Sequence, residues 1–185
     1  MRRDVLRRIP VVGVEDGSFQ KGISGEAKLV AVLLVGAEIK GVRIVDVTVD
    51  GMDATEALMK MIEGWKFEAV LLAGISFAGF NVIDPTAICE RHGKPVIVIS
   101  RTKPDNRAVK RALQKHFEDW KIRWGILKKL GEVYEVKVLH DAEPVYIEIL
   151  GETVEWAYEL VRVLSFCGRV PEPLRVARII ARGVS

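Results

Sequence analysis

The stretch KLVAVLLVGAEIKGVRIVDVTV, residues 28–49, decides what kind of sheet this chain can build. Its opening, Lys28 to Ala37, is almost wholly apolar and holds the longest apolar run of the chain, Leu29 to Ala37. Its close, Val42 to Val49, alternates Val and Ile with Arg43, Asp46 and Thr48. The first pattern fits a strand covered on both faces, the second a strand covered on one. Glu38-Ile39-Lys40-Gly41 between them is too short for a helical crossover, so the two strands pair antiparallel. Upstream, Val11 to Val14 reads as a short strand that stops at the turn Glu15-Asp16-Gly17.

Downstream the period changes. Asp53-Ala54-Thr55-Glu56 has the form of a capping box, with Ala57, Leu58, Met61 and Ile62 at helical spacing behind it. Ala69 to Ala73 is an apolar strand, and Gly74 to Asn81 a loop. Asp84-Pro85 opens a helix that Gly93 closes, and Pro95 to Ile99 is a further buried strand. Asp105 to Lys129 reads as one or two helices with Val109, Leu113, Phe117, Trp120, Trp124 and Leu127 on one face. Val133 to Leu139 and Val145 to Leu150 read as strands, Glu152 to Phe166 and Pro173 to Arg182 as helices. A hairpin followed by strand–helix–strand predicts an α/β fold, a mixed sheet with helices on both faces. Val11–Val14 should lie centrally, between Leu29–Ala37 and Ala69–Ala73.

The chain has 185 residues, 49% hydrophobic and 29% charged, which fits one globular domain, 1–185, and excludes a disordered chain. No apolar run reaches the roughly 18–20 residues of a membrane span, and no signal peptide is read. Two distant cysteines, Cys89 and Cys167, make no disulfide framework, so a reduced, cytoplasmic protein is expected. Net charge is only +3, but Arg101 to Lys129 carries ten Lys/Arg against three Asp/Glu. That asymmetry can attract a polyanion.

Common sites are absent. Gly93-Lys94 is followed by Pro95, so there is no Walker A loop, and neither Cys-x-x-Cys nor His-Glu-x-x-His occurs. Gly74-Ile75-Ser76-Phe77-Ala78 lacks the second glycine of a nucleophile elbow, and Cys89-x-x-His92 is half a metal site. Carboxylates near strand ends are the stronger feature: Glu15 and Asp16 after the first strand, Asp50 and Asp53 after the third. Such acids can hold Mg²⁺ or Mn²⁺ for phosphodiester chemistry, although Asp53 also fits a helix cap and Asp16-Gly17 a plain turn. Arg101, Lys103, Arg107, Lys110 and Arg111 form a basic face that can follow a phosphate backbone or simply solvate a surface helix.

Three segments carry a resemblance: Val12-Gly13-Val14-Glu15-Asp16-Gly17-Ser18-Phe19, Gly74-Ile75-Ser76-Phe77-Ala78-Gly79-Phe80-Asn81, and Pro171-Glu172-Pro173-Leu174-Arg175-Val176-Ala177. Together they resemble an archaeal family catalogued as domain of unknown function ninety-nine. That family in turn resembles endonuclease V, a metal-dependent nuclease of ribonuclease-H-like fold that acts beside deaminated bases. The resemblance implies a catalytic carboxylate at Glu15, with Asp16 adjacent, and a second near Asp53, with Asp50 as its rival. The carboxylate expected after the fourth strand falls on Ala73, the catalytic histidine near the last helices falls on Glu152, and the lesion wedge has no counterpart between Val47 and Asp53. Two functions follow. One is a divergent Mg²⁺- or Mn²⁺-dependent nuclease using Glu15, Asp16, Asp50 or Asp53, and Glu152. The other is a non-catalytic module of the same fold that binds nucleic acid or a protein partner. Oligomeric state is not legible.

Overall fold

The expected hairpin forms, with its turn placed earlier than the residue pattern put it. The computed structural model describes residues 3–139 and 142–185. Strand β1 (Pro10–Asp16) follows a short helix α1 (Arg3–Leu6); β2 (Glu26–Val35) and β3 (Glu38–Thr48) come next. Glu38 to Gly41 belongs to β3 and is not a connection: Glu38 pairs with Val35, and Ile39 with Leu34. Gly36, at φ 63°, lets Gly36-Ala37 alone make the turn.

The chain continues with α2 (Ala54–Ile62), β4 (Ala69–Leu72), β5 (Ser76–Phe77), β6 (Asn81–Val82), α3 (Pro85–His92) and β7 (Val96–Ser100). It ends with α4 (Asn106–His116), α5 (Trp120–Leu127), β8 (Tyr134–Val136), β9 (Val145–Leu150), α6 (Val154–Leu164) and α7 (Glu172–Gly183). Seven strands form one mixed sheet in the order β3-β2-β1-β4-β7-β9-β8. β1 is antiparallel to β2 and parallel to β4, so Val11–Val14 lies centrally between the neighbours expected from the sequence. β4 is parallel to β7, and β9 runs antiparallel to β7.

The pleat sends alternate residues of each strand to two cores. Val12, Val14, Val70, Leu72, Val96 and Val98 pack under Leu58, Ile62 and Ile88 of α2 and α3. Val11, Leu71, Ile97 and Ile147 pack under Leu160, Val161 and Leu174 of α6 and α7. Helices therefore cover both faces, as the unbroken apolar strands require. The long helical stretch splits at Phe117, which is extended, and Trp120 and Trp124 pack with Val82, Leu113 and Leu127. The loop expected over Gly74 to Asn81 contains the β5–β6 hairpin, and the strand expected over Val133 to Leu139 is reduced to β8.

Candidate active site

The parallel strands β1, β4 and β7 all finish at one end of the sheet, just beyond the row Val14, Leu72 and Val98. Glu15 sits there, buried among protein atoms, its side chain only 13% exposed. Arg101, the first residue after β7, brings its guanidinium to 3.5 Å from Glu15. Burial pushes the Glu15 carboxyl up to about 8; the Asp16 charge pushes the same way, and Arg178 pulls downward without prevailing. Burial also raises Asp16, opposed by the backbone N–H of Ala78, which donates to its Oδ2 at 2.6 Å.

Glu15 and Asp16 line a cleft of about 340 Å³ with Gly17, Ser18, Phe19, Arg101, Arg178 and Arg182. A smaller lobe of about 240 Å³ adjoins it, where Glu15 and Arg101 meet Ala73, Gly74, Ser100 and Thr102. Arg178 and Arg182 come from α7, which lies along β1. A Cβ on Gly13 would sit 2.3 Å from the carbonyl carbon of Pro173, so only glycine admits this approach. Neither arginine was singled out in the sequence. Their spacing of four on an amphipathic helix reads like any solvated face, and only the docking of α7 on β1 turns them toward the acids.

The other expected site residues are distributed differently. Asp50 follows β3 and stands near Asp16, because both hold the same loop: Asp50 Oδ1 accepts from Phe80 N at 2.8 Å, and Asp50 N donates to Ala78 O. Asp53 is engaged elsewhere. Its carboxylate accepts from Thr48 N, Thr48 Oγ1 and Asn81 Nδ2, and it lines a separate groove between β3 and α2 with Arg43, Asp46 and Lys60. Burial alone would raise its carboxyl, but the Asn81 and Thr48 donors outweigh that and hold it below the usual range. Nor does Asp53 cap α2 with its side chain; Asn81 Oδ1 accepts from Ala54 N instead.

Glu152 does not reach the cleft. β9 runs against β7, pairing Tyr146 with Ser100 and Leu150 with Val96, so Glu152 emerges at the opposite end of the sheet from Asp16. Helix α6, which follows Glu152, therefore starts beside the beginning of β7 and not beside its end. Among the described residues, no group of three His, Cys, Asp or Glu side chains is placed to share one metal ion. Ala73, which follows β4 and donates its N–H to Val14 O, occupies the position where the resemblance implies a carboxylate.

Of the basic residues, Arg101 borders the cleft. Lys103, Arg107 and Arg111 are exposed on the loop and helix that leave the same strand end, and Lys110 Nζ lies 5.4 Å from the Trp124 ring centre. Two cations of that segment are structural: Lys129 pairs with Asp84 at 2.7 Å, and Arg123 is buried.

Comparison with known proteins gives this geometry a context. The endonuclease dU family matches residues 7–185. A UPF0215 protein of Methanothermobacter thermautotrophicus is 37% identical over 188 residues, covering 99% of this chain and 91% of that protein. A protein of unknown function from Archaeoglobus fulgidus superposes with a TM-score of 0.84 at 26% identity, covering 96% of this chain and 98% of that one. Endonuclease V of Ciona intestinalis, in complex with DNA containing an inosine, superposes with a TM-score of 0.64 at 11% identity, covering 98% and 93%. The fold is therefore endonuclease V-like, of the ribonuclease-H-like class. Among the described residues, no helix is long and apolar enough to cross a membrane.

Proposed function

Since the chain belongs to the endonuclease dU family, we propose that it is a nuclease cutting the phosphodiester backbone of DNA beside deoxyuridine. Glu15 and Asp16 form its reactive pair. The observation that carries this reading is the pair itself: two desolvated carboxylates at the end of the central strand, open to a cleft lined by arginines. Fixed, perturbed acids that open to a cleft are a mark of a functional site.

The donor set fits Mg²⁺ or Mn²⁺ in a restricted form. Mg²⁺ is commonly held by one or two protein carboxylates, with waters and substrate phosphate filling the rest. Glu15 and Asp16 would hold it; Asp50 holds the same loop as Asp16 through Phe80 N, whereas Asp53 and Glu152 are engaged or directed elsewhere. When bound, the ion supplies Lewis acidity toward the phosphate and a more acidic water. In the free protein Glu15 keeps its proton near neutral pH, so cation binding must displace it. Arg101 orients Glu15, and the exposed Lys103, Arg107 and Arg111, with the half-buried Lys110 beside them, follow the backbone outside the cleft.

A second reading is favoured by Ala73: a module of this fold that binds nucleic acid or a protein partner without cutting. The test is a labelled oligonucleotide carrying one deoxyuridine, one deoxyinosine or neither, incubated with Mg²⁺, Mn²⁺ or chelator. Cation-dependent cleavage near deoxyuridine, reduced at least about 100-fold in Glu15→Gln and Asp16→Asn, is expected. Binding without cleavage under every cation condition establishes the second reading instead.

A further inference from the structure

We propose that Arg178 and Arg182, together with Arg101, form a subsite that seats one backbone phosphate directly beside the Glu15–Asp16 pair. The inference rests on the nuclease reading and adds to it the groups that hold the phosphate. Arg175, Arg178 and Arg182 follow one another at spacings of three and four, which puts them on one side of α7. Arg175 is already satisfied: both its Nε and Nη2 donate to the Glu172 carboxylate. Among the described residues, no carboxylate lies within ion-pair distance of Arg178 or Arg182, although both face the cleft. Arg101 has only its long contact to Glu15 at 3.5 Å.

Three guanidinium groups thus line a cleft with two carboxylates. Even with both acids ionised, the three arginines leave the cleft an excess positive charge. Unpaired guanidinium groups converging on a small space repel one another until an anion joins them, and their planar donor forks match phosphate oxygens bidentately. The platform is rigid: Gly13 meets Pro173 and Gly17 meets Ala181 so closely that α7 has little room to move along β1. A phosphate seated there touches the groups that would act on it, whereas the α4 cations lie outside the cleft.

The test is binding in chelator, so that no cleavage occurs. Fluorescence anisotropy of a labelled single-stranded oligonucleotide is followed through a salt titration for wild type, R178Q/R182Q, R178K/R182K and R107E/R111E. The oligonucleotide is used as such and with a single neutral methylphosphonate walked along it. R178Q/R182Q is expected to weaken low-salt binding about tenfold and to reduce the log–log salt slope by about 0.7, the value for one phosphate on a single strand. One methylphosphonate position should cost wild type affinity and leave R178Q/R182Q unaffected. The lysine pair should recover part of the affinity, and R107E/R111E should lower affinity while keeping the sensitivity to that position. Circular dichroism and thermal midpoints confirm that the variants fold. An R178Q/R182Q protein with wild-type affinity and slope overturns the subsite and leaves the nuclease reading standing. A wild type that binds no oligonucleotide at low salt overturns both. Arginine-dependent binding without cation-dependent cleavage keeps the subsite and removes the nuclease reading.

Discussion

Arg123 belongs to a segment that reads as a basic surface, yet it is only 4% exposed. Its Nε donates to Asp119 at 2.8 Å, Nη1 to the carbonyls of Gly51 and Phe80 at 2.9 and 2.6 Å, and Nη2 to Asp50 O at 2.9 Å. The guanidinium also stacks 4.3 Å above the Phe117 ring centre. It ties together two loops that contain the strained residues Asp50 (φ 58°) and Ala78 (φ 43°), both in the left-handed region that side chains disfavour. Ala78 in turn holds Asp16. Arg123→Met leaves three carbonyls and the Asp119 carboxylate without their donor. We expect a loss of about 3 kcal/mol in urea unfolding, with Arg123→Lys recovering only part of it. The arginine was counted with its neighbours in the sequence because its three carbonyl partners lie 43, 72 and 73 residues away, and no local pattern marks such contacts.

Helix α7 and strand β1 show how elements build the cleft. Gly13→Ala places a methyl against the Pro173 backbone, which cannot yield as a flexible side chain would. The helix must lift, carrying Arg178 and Arg182 with it. A loss of at least about 2 kcal/mol is expected, together with weaker oligonucleotide binding. Gly25→Ala is the control: nothing lies within 4 Å of its Cβ position, so a change within about 0.5 kcal/mol is expected. Most elements were legible because burial leaves a trace in the chain. The runs at Leu29–Val35, Ala69–Leu72 and Val96–Ile99 are apolar because both faces of each strand are covered. Strand direction leaves no such trace. Nothing within Val145–Leu150 tells that it runs against β7, and that direction carries Glu152 away from the cleft. The Asp53 cap failed for a related reason, since Asn81, distant in sequence, takes the capping role.

Across the whole molecule, two sets of carboxylates have opposite effects of pH. Glu159, Glu172 and Asp119 are held below their usual range by donors from Arg3, Arg175 and Arg123; their stabilisation is present above their unfolded values and lost as pH falls. Glu148, on β9 opposite Val98 and only 6% exposed, is raised by burial. Its contribution is complete below its unfolded value near 4.5 and is lost as pH rises through the folded one. Glu148→Gln cannot ionise. Its stability relative to wild type should therefore improve progressively as pH rises above about 4.5, read from urea midpoints at a series of pH values. A constant difference across pH would show that Glu148 ionises as freely in the folded chain as in the unfolded one.

The contact of α7 with β1 also sets an order in time. Ser18 N donates to Ser185 Oγ across 167 positions of the chain, whereas β1, β2 and β3 pair with near neighbours in sequence. Closing a long loop costs more entropy than closing a short one, so the local strands are expected to associate first. The acids are then in place on a half-built sheet before the arginines arrive. Until the most distant segments meet, a nascent chain exposes a bare carboxylate pair that repels anions, and the proposed phosphate subsite exists only on a molecule that has finished folding.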